Sequence, residues 1–110
     1  MNVYDTANKL AGEIRISEEY TKFKDAKKNL ETNIELKAKI DEFEKMRYEV
    51  QVLAMQGKEV EETKNKKLQE MYTILIQNKE IKEYFDLEVK FNVMIADVNK
   101  IIAEAIEDVL

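Results

Sequence analysis

The chain has 110 residues, 45% of them apolar and 37% charged, with a net charge of −5 and no Cys, His or Pro. At this length one domain, residues 1–110, is the default, and apolar runs of no more than four residues are too short to cross a bilayer. Absence of Cys excludes disulfides and thiolate-held zinc or iron–sulfur centres within the chain, and the acid excess opposes direct nucleic-acid binding, which concentrates positive charge.

With Gly12 and Gly57 as the only glycines and no proline, strong breakers are almost absent. Lys, Glu, Leu, Ala, Ile and Met dominate, and apolar residues recur at spacings of three and four, so the whole chain reads as helix. Boundaries must therefore come from caps. Ser17-Glu18-Glu19-Tyr20, Asn33-Ile34-Glu35-Leu36 and Asn78-Lys79-Glu80-Ile81 share one pattern: a small polar residue, Glu two positions on, an apolar residue three on. Ser and Asn oxygens accept from the free amides of a first turn, and acids there suit the positive end of the helix dipole. Each is a predicted helix start.

The predicted elements follow in order. The first helix spans about Val3 to Ile16, with Tyr4, Ala7, Leu10, Ala11 and Ile14 on one face. The second, Glu18 to Leu30, turns Tyr20, Phe23, Ala26, the stem of Lys27 and Leu30 inward. The third, Ile34 to about Met55, uses Leu36, Ile40, Phe43, Met46, Val50 and Leu53. Gln56-Gly57-Lys58 ends it, Gly57 being suited to the left-handed C-terminal position. The fourth, Glu61 to Gln77, places Leu68, Met71, Tyr72, Leu75 and Ile76 inward. The fifth runs from Ile81 to Leu110. The expected fold is all-α, an antiparallel bundle of about five helices with a long C-terminal one. The third to fifth helices would form its core and the two short helices pack across it.

Few residues offer chemistry. Without His or Cys, the usual groups for general acid–base or nucleophilic work are missing. Bundle metal sites want inward carboxylates, usually with Glu-x-x-His. Asp41, Glu42 and Glu44, and likewise Glu59, Glu61 and Glu62, instead flank the apolar stripes and read as solvated faces. No phosphate loop or dinucleotide fingerprint occurs. The expectation is no enzyme, no metal and no cofactor. The lysine groups Lys22, Lys24, Lys27, Lys28 and Lys64, Lys66, Lys67 are interleaved with acids and read as surface. Met46, Met71 and Met94 sit on apolar lines and read as core. Met55, with Gln56 and Gly57 at the corner of the third and fourth helices, is either a contact point or a cover for the bundle end.

The C-terminal segment carries the strongest signal. Tyr84, Phe91, Val98 and Ala105 recur every seven residues, Ile95, Ile102 and Val109 form a second line, and Leu87, Met94 and Ile101 a third. That stripe is wider than a single coiled-coil seam. It suits two partners at once, the chain's own bundle and a second copy in an isologous dimer. The acids Asp97, Glu104, Glu107 and Asp108 keep the remaining face wet, and residues 79–110 hold four bases against eight acids. The residues expected at a dimer or partner surface are Phe91, Met94, Ile95 and Val98, followed by Ile101, Ile102, Ala105 and Ile106.

The order of motifs resembles the YlbF/YmcA family, also called control of competence regulator ComK. The residues that carry the likeness begin with Tyr4-x-x-Ala7-x-x-Leu10-Ala11-x-x-Ile14 and Ser17-x-Glu19-Tyr20-x-x-Phe23-x-x-Ala26. They continue through Phe43, Met55-Gln56-Gly57, Gln77-Asn78-x-x-Ile81-x-x-Tyr84 and Asp97-Val98-Asn99-Lys100-Ile101-Ile102, the last sets looking most like the YheA branch. The resemblance implies a small, all-helical, bacterial cytoplasmic protein that self-associates and has no catalytic residues. In the better-studied branches, family members act with YaaT to steer ribonuclease Y in competence, sporulation and biofilm formation, in a complex associated with cysteine-bound iron–sulfur clusters. This chain has no Cys, so no such ligand carries over. The resulting expectation is a non-enzymatic adaptor, homodimeric or larger, partnering an RNA-processing complex. The alternatives are a small RNA-binding helical protein and a secreted WXG-like protein. The latter would need the Trp of W-x-G, and this chain has no Trp. The opening MNVYDTANKL lacks the basic-then-apolar order of a secretory signal, which fits a cytoplasmic site.

Overall fold

A computed structural model describes residues 2–59 and 61–110, and among these the regular elements are five α-helices and one short 3-10 turn. They are α1 (Val3–Ile16), α2 (Glu18–Glu31), α3 (Ile34–Met55), α4 (Glu62–Leu75) and α5 (Lys79–Ile106), with the 3-10 turn at Glu107–Val109. The all-α fold with a long C-terminal helix is thus the observed one.

The caps explain the boundaries. Ser17 serves two helices: its hydroxyl donates to the Ile14 carbonyl at 2.6 Å, closing α1, and accepts from the Tyr20 amide at 3.2 Å, opening α2. Asn33 Oδ1 accepts from the Leu36 amide at 3.1 Å, and Asn78 Oδ1 from the Ile81 amide at 3.2 Å. Asn2 does the same for Asp5 at the start of α1, at 2.9 Å. At the far end of α3, Gly57 takes φ +71°, while its amide donates to the Ala54 carbonyl and that of Lys58 to Leu53, both at 3.1 Å. That pair of bonds around a left-handed glycine is a Schellman ending.

The bounds of α4 and α5 differ from the expected ones. α4 stops at Leu75 and not Gln77, because Gln77 and Asn78 donate three residues back, to Ile74 and Leu75, tightening the chain into a turn before α5. The fifth helix begins with Lys79, just after the Asn78 cap. It loses α geometry at Ile106 (φ −115°) and finishes as the 3-10 turn.

The chain divides into two compact units, Met1–Lys27 with Tyr84–Leu110, and Lys28–Glu83. Within the second, α3 and α4 form an antiparallel pair in which the Phe43 and Tyr72 rings lie 6.0 Å apart. Leu30, Ile40, Phe43, Leu75 and Ile81 are buried there, Ile81 to 1% exposure. Burying one such aliphatic side chain stabilises by about 1.5–3 kcal/mol. The Arg47 guanidinium lies 5.5 Å from the Phe43 ring, extending that cluster toward solvent.

In the first unit α2 runs antiparallel to α5 through aromatic contacts. Tyr20 meets Phe91 at 6.3 Å, and Phe23 meets both Tyr84 and Phe91 at 5.4 Å. Tyr84 and Phe85 are buried. α2 is therefore a packing partner of the long helix within this unit. α1 contrasts with it. No residue of α1 is buried, only Leu10 and Ile14 are half-buried, and Tyr4, expected on its inward face, is 81% exposed. Ala7 and Ala11 are exposed as well. The Lys27 stem, expected inward on α2, is likewise exposed.

Candidate interaction surface

α5 is buried at Tyr84 and Phe85 and has no buried residue beyond them, and the residues singled out from sequence divide between half-buried and exposed. Phe91, Met94, Ile95 and Val98 are half-buried. Ile101, Ile102 and Ile106 are 68%, 51% and 43% exposed, and Ala105 is exposed too. The cause is the length of α2. It starts at Glu18 and runs antiparallel to α5, so its aromatics cover Tyr84 to Phe91 and little beyond. An apolar stripe that continues past its cover is left against water, at roughly 25 cal/mol per Å² of apolar area.

Two grooves border this stripe. One, of about 600 Å³, lies between α1 and α5 and is lined by Val3, Thr6, Ala7 and Leu10 with Ile102. The other, of about 560 Å³, runs along the flank of α5, where Glu18 and Lys22 of α2 face Val93, Met94, Asp97 and Ile101. Its floor includes Val89 and Val93, 59% and 52% exposed, which the sequence reading passed over. Their signal was present: two valines four apart on the side of the helix opposite the Phe91–Val98 line, where polar residues are the rule.

Several charged side chains near the stripe form ordinary surface contacts. Lys22 pairs with Glu18 at 3.1 Å and Lys100 with Glu104 at 3.9 Å, both in the i,i+4 relation and exposed. Such pairs contribute about 0.3–0.5 kcal/mol. Arg15 and Lys24 each lie 5.8 Å from the centre of the Tyr20 ring. Among the described residues no three Asp or Glu side chains gather as a metal site would require.

The other site named from sequence, Met55, Gln56 and Gly57, belongs to the second unit. Met55 is 87% exposed, so it does not cover the end of the α3–α4 pair. Gly57 has a structural task, the left-handed turn described above.

Comparison with known proteins agrees over nearly the whole chain. The model of the family described as control of competence regulator ComK, YlbF/YmcA, matches residues 3–107. A UPF0342 protein of Caldicellulosiruptor bescii is 39% identical over 106 residues, covering 96% of this chain and 89% of its own. A UPF0342 protein of Caldicellulosiruptor saccharolyticus is 38% identical over 106 residues, 96% of this chain and 88% of its own. One from Bacillus cytotoxicus is 34% identical over 107 residues, 97% and 92%. No helix among the described residues is long and apolar enough to cross a membrane.

Proposed function

Because the chain belongs to the YlbF/YmcA family of competence-regulator control proteins, we propose that it is a non-enzymatic cytoplasmic adaptor. It self-associates through the C-terminal part of α5 and acts by contact with other proteins. The observation that carries this reading is the exposed run Ile101, Ile102, Ile106 and Val109 on a helix that is well covered only near its start. Apolar residues left open in line mark an interaction surface far more often than they mark a catalytic one. By family likeness the wider partner is a complex that processes RNA, with ribonuclease Y as its enzyme.

Ile102→Lys tests the self-association. At 51% exposure the site accepts Lys with the helical content kept, while a charge there opposes any apolar contact. The expected result is wild type at twice the chain mass by light scattering at micromolar concentration, and the variant at the single-chain mass. Wild type at the single-chain mass overturns this reading. For the adaptor role, tagged wild type should co-purify ribonuclease Y from a cell extract and Ile102→Lys should recover less of it; equal absence from both samples counts against an RNA-processing role.

A further inference from the structure

The groove on the flank of α5 opens on another side of the helix from Ile102, with Val93 about 180° from it. Its floor is apolar: Val89 and Val93 are 59% and 52% exposed and Met94 is half-buried. From Val89 to Ile101 it runs about 18 Å, the length of a helix of about 12 residues. Both walls are helices, α2 and α5. Their backbone groups are bonded internally, so an extended guest gains no backbone bond there, whereas a helical guest brings its own already made. The groove is also graded in charge. Glu18 is paired with Lys22 at 3.1 Å. Among the described residues Lys90, Glu19 and Asp97 have no ion-pair partner. Lys90 and Asp97 project within about 20° of one another, about 10 Å apart along the axis. Because α2 runs antiparallel to α5 and Tyr20 meets Phe91, Glu19 lies toward Asp97 and away from Lys90. One end of the groove is therefore acidic twice over and the other basic.

Resting on the adaptor reading above, we infer that this groove receives an amphipathic helix of another protein. About three turns of that helix lay their apolar face on Val89, Val93 and Met94, at the usual helix separation of about 8–10 Å. Basic residues of the guest stand beside Glu19 and Asp97, and an acidic residue about seven positions away stands beside Lys90. Burial of the floor supplies the attraction, at roughly 25 cal/mol per Å². The charges decide which helix is accepted, since like charges brought together across an interface are penalised. That penalty argues for a foreign guest. The chain's own long helix is a poor match, because residues 79–110 carry eight acids against four bases and bring acid to an end that already holds two. A helix with an excess of bases is what the groove lacks.

The test uses the full chain and three fluorescently labelled peptides, each about 16 residues long so that a helix can form, with the same leucine face. One carries two bases at one end of that face and an acid at the other, one carries bases at both ends, and one carries acids at both. Binding is read by fluorescence anisotropy at about 0.15 M salt, where charges more than about 8 Å apart are largely screened. Wild type should bind the mixed peptide about tenfold more tightly than either of the others. Lys90→Glu should move the preference to the all-basic peptide, and Val93→Lys should weaken binding of all three. Both residues are exposed, so helical content by circular dichroism should be unchanged in both variants. Equal affinity of wild type for the three peptides, no binding of any, a preference unmoved by Lys90→Glu, or binding that survives Val93→Lys overturns the inference. In each of those cases wild type at twice the chain mass by light scattering leaves the self-association standing. Val93→Lys at the single-chain mass, beside wild type at twice that mass, assigns the groove to a second copy and overturns the inference as well.

Discussion

Asn33 and Asn78 occupy equivalent places, each lending its side-chain oxygen to the amide three residues on, and Ser17 does the same while also closing the preceding helix. These bonds satisfy donors that a helix start otherwise leaves to solvent. Asn33→Ala should therefore lower stability by about 1 kcal/mol, read as a shift of the urea midpoint at fixed protein concentration, whereas Asn33→Asp should retain most of it. Gly57 at φ +71° has no room for conformational compromise: a Cβ there meets no atom within 4 Å, so the cost of Gly57→Ala is purely that of the backbone, about 1–2 kcal/mol. Finding Gly57→Ala as stable as wild type would mean the left-handed turn is not maintained in solution. Caps and this glycine were legible in the sequence because their chemistry is local. The residue that needs the cap lies within four positions of the one that provides it.

At the scale of elements, the sequence assigned faces correctly more often than it assigned partners. Phe23 was placed inward by spacing, but spacing is silent on what it meets, and the stacks with Tyr84 and Phe91 join residues more than sixty positions apart. Phe23→Ala removes both contacts and should destabilise by about 3 kcal/mol, the lower end for a Phe truncation because the ring is only half-buried. Ile81→Ala, at a side chain with 1% exposure, should cost about 2–5 kcal/mol. Both are measured by denaturant unfolding. α1 was misjudged for a related reason: an apolar face states a need for cover, and Tyr4 shows that a single chain does not always meet it. Val89 and Val93 interrupt a polar face, and their apolar signal is weak beside the wider stripe on the opposite side.

For the molecule as a whole, the candidate surface was legible as a list of residues, while its division into half-buried and exposed parts was not. The stripe from Phe91 to Ile106 was visible, yet only the reach of α2 decides that its first half is half-covered and its second half open. If the open half is closed by a second copy, folding and assembly share one equilibrium, and stability rises with protein concentration by about 1.4 kcal/mol per tenfold. Wild type should show that dependence in its urea midpoint, and Ile102→Lys should show none.

α1 carries a further consequence. It has 14 residues and none buried, and isolated helices shorter than about 12–15 residues are marginal in water. Its amides therefore open without the rest of the chain unfolding, on a path separate from that of Ile40 and Phe43 in α3. In deuterated water the α1 amides of a dilute sample should exchange first, and they should slow as the sample is concentrated while those of α3 barely change. The helix least held by its own chain thus becomes a clock whose rate counts the assembled fraction.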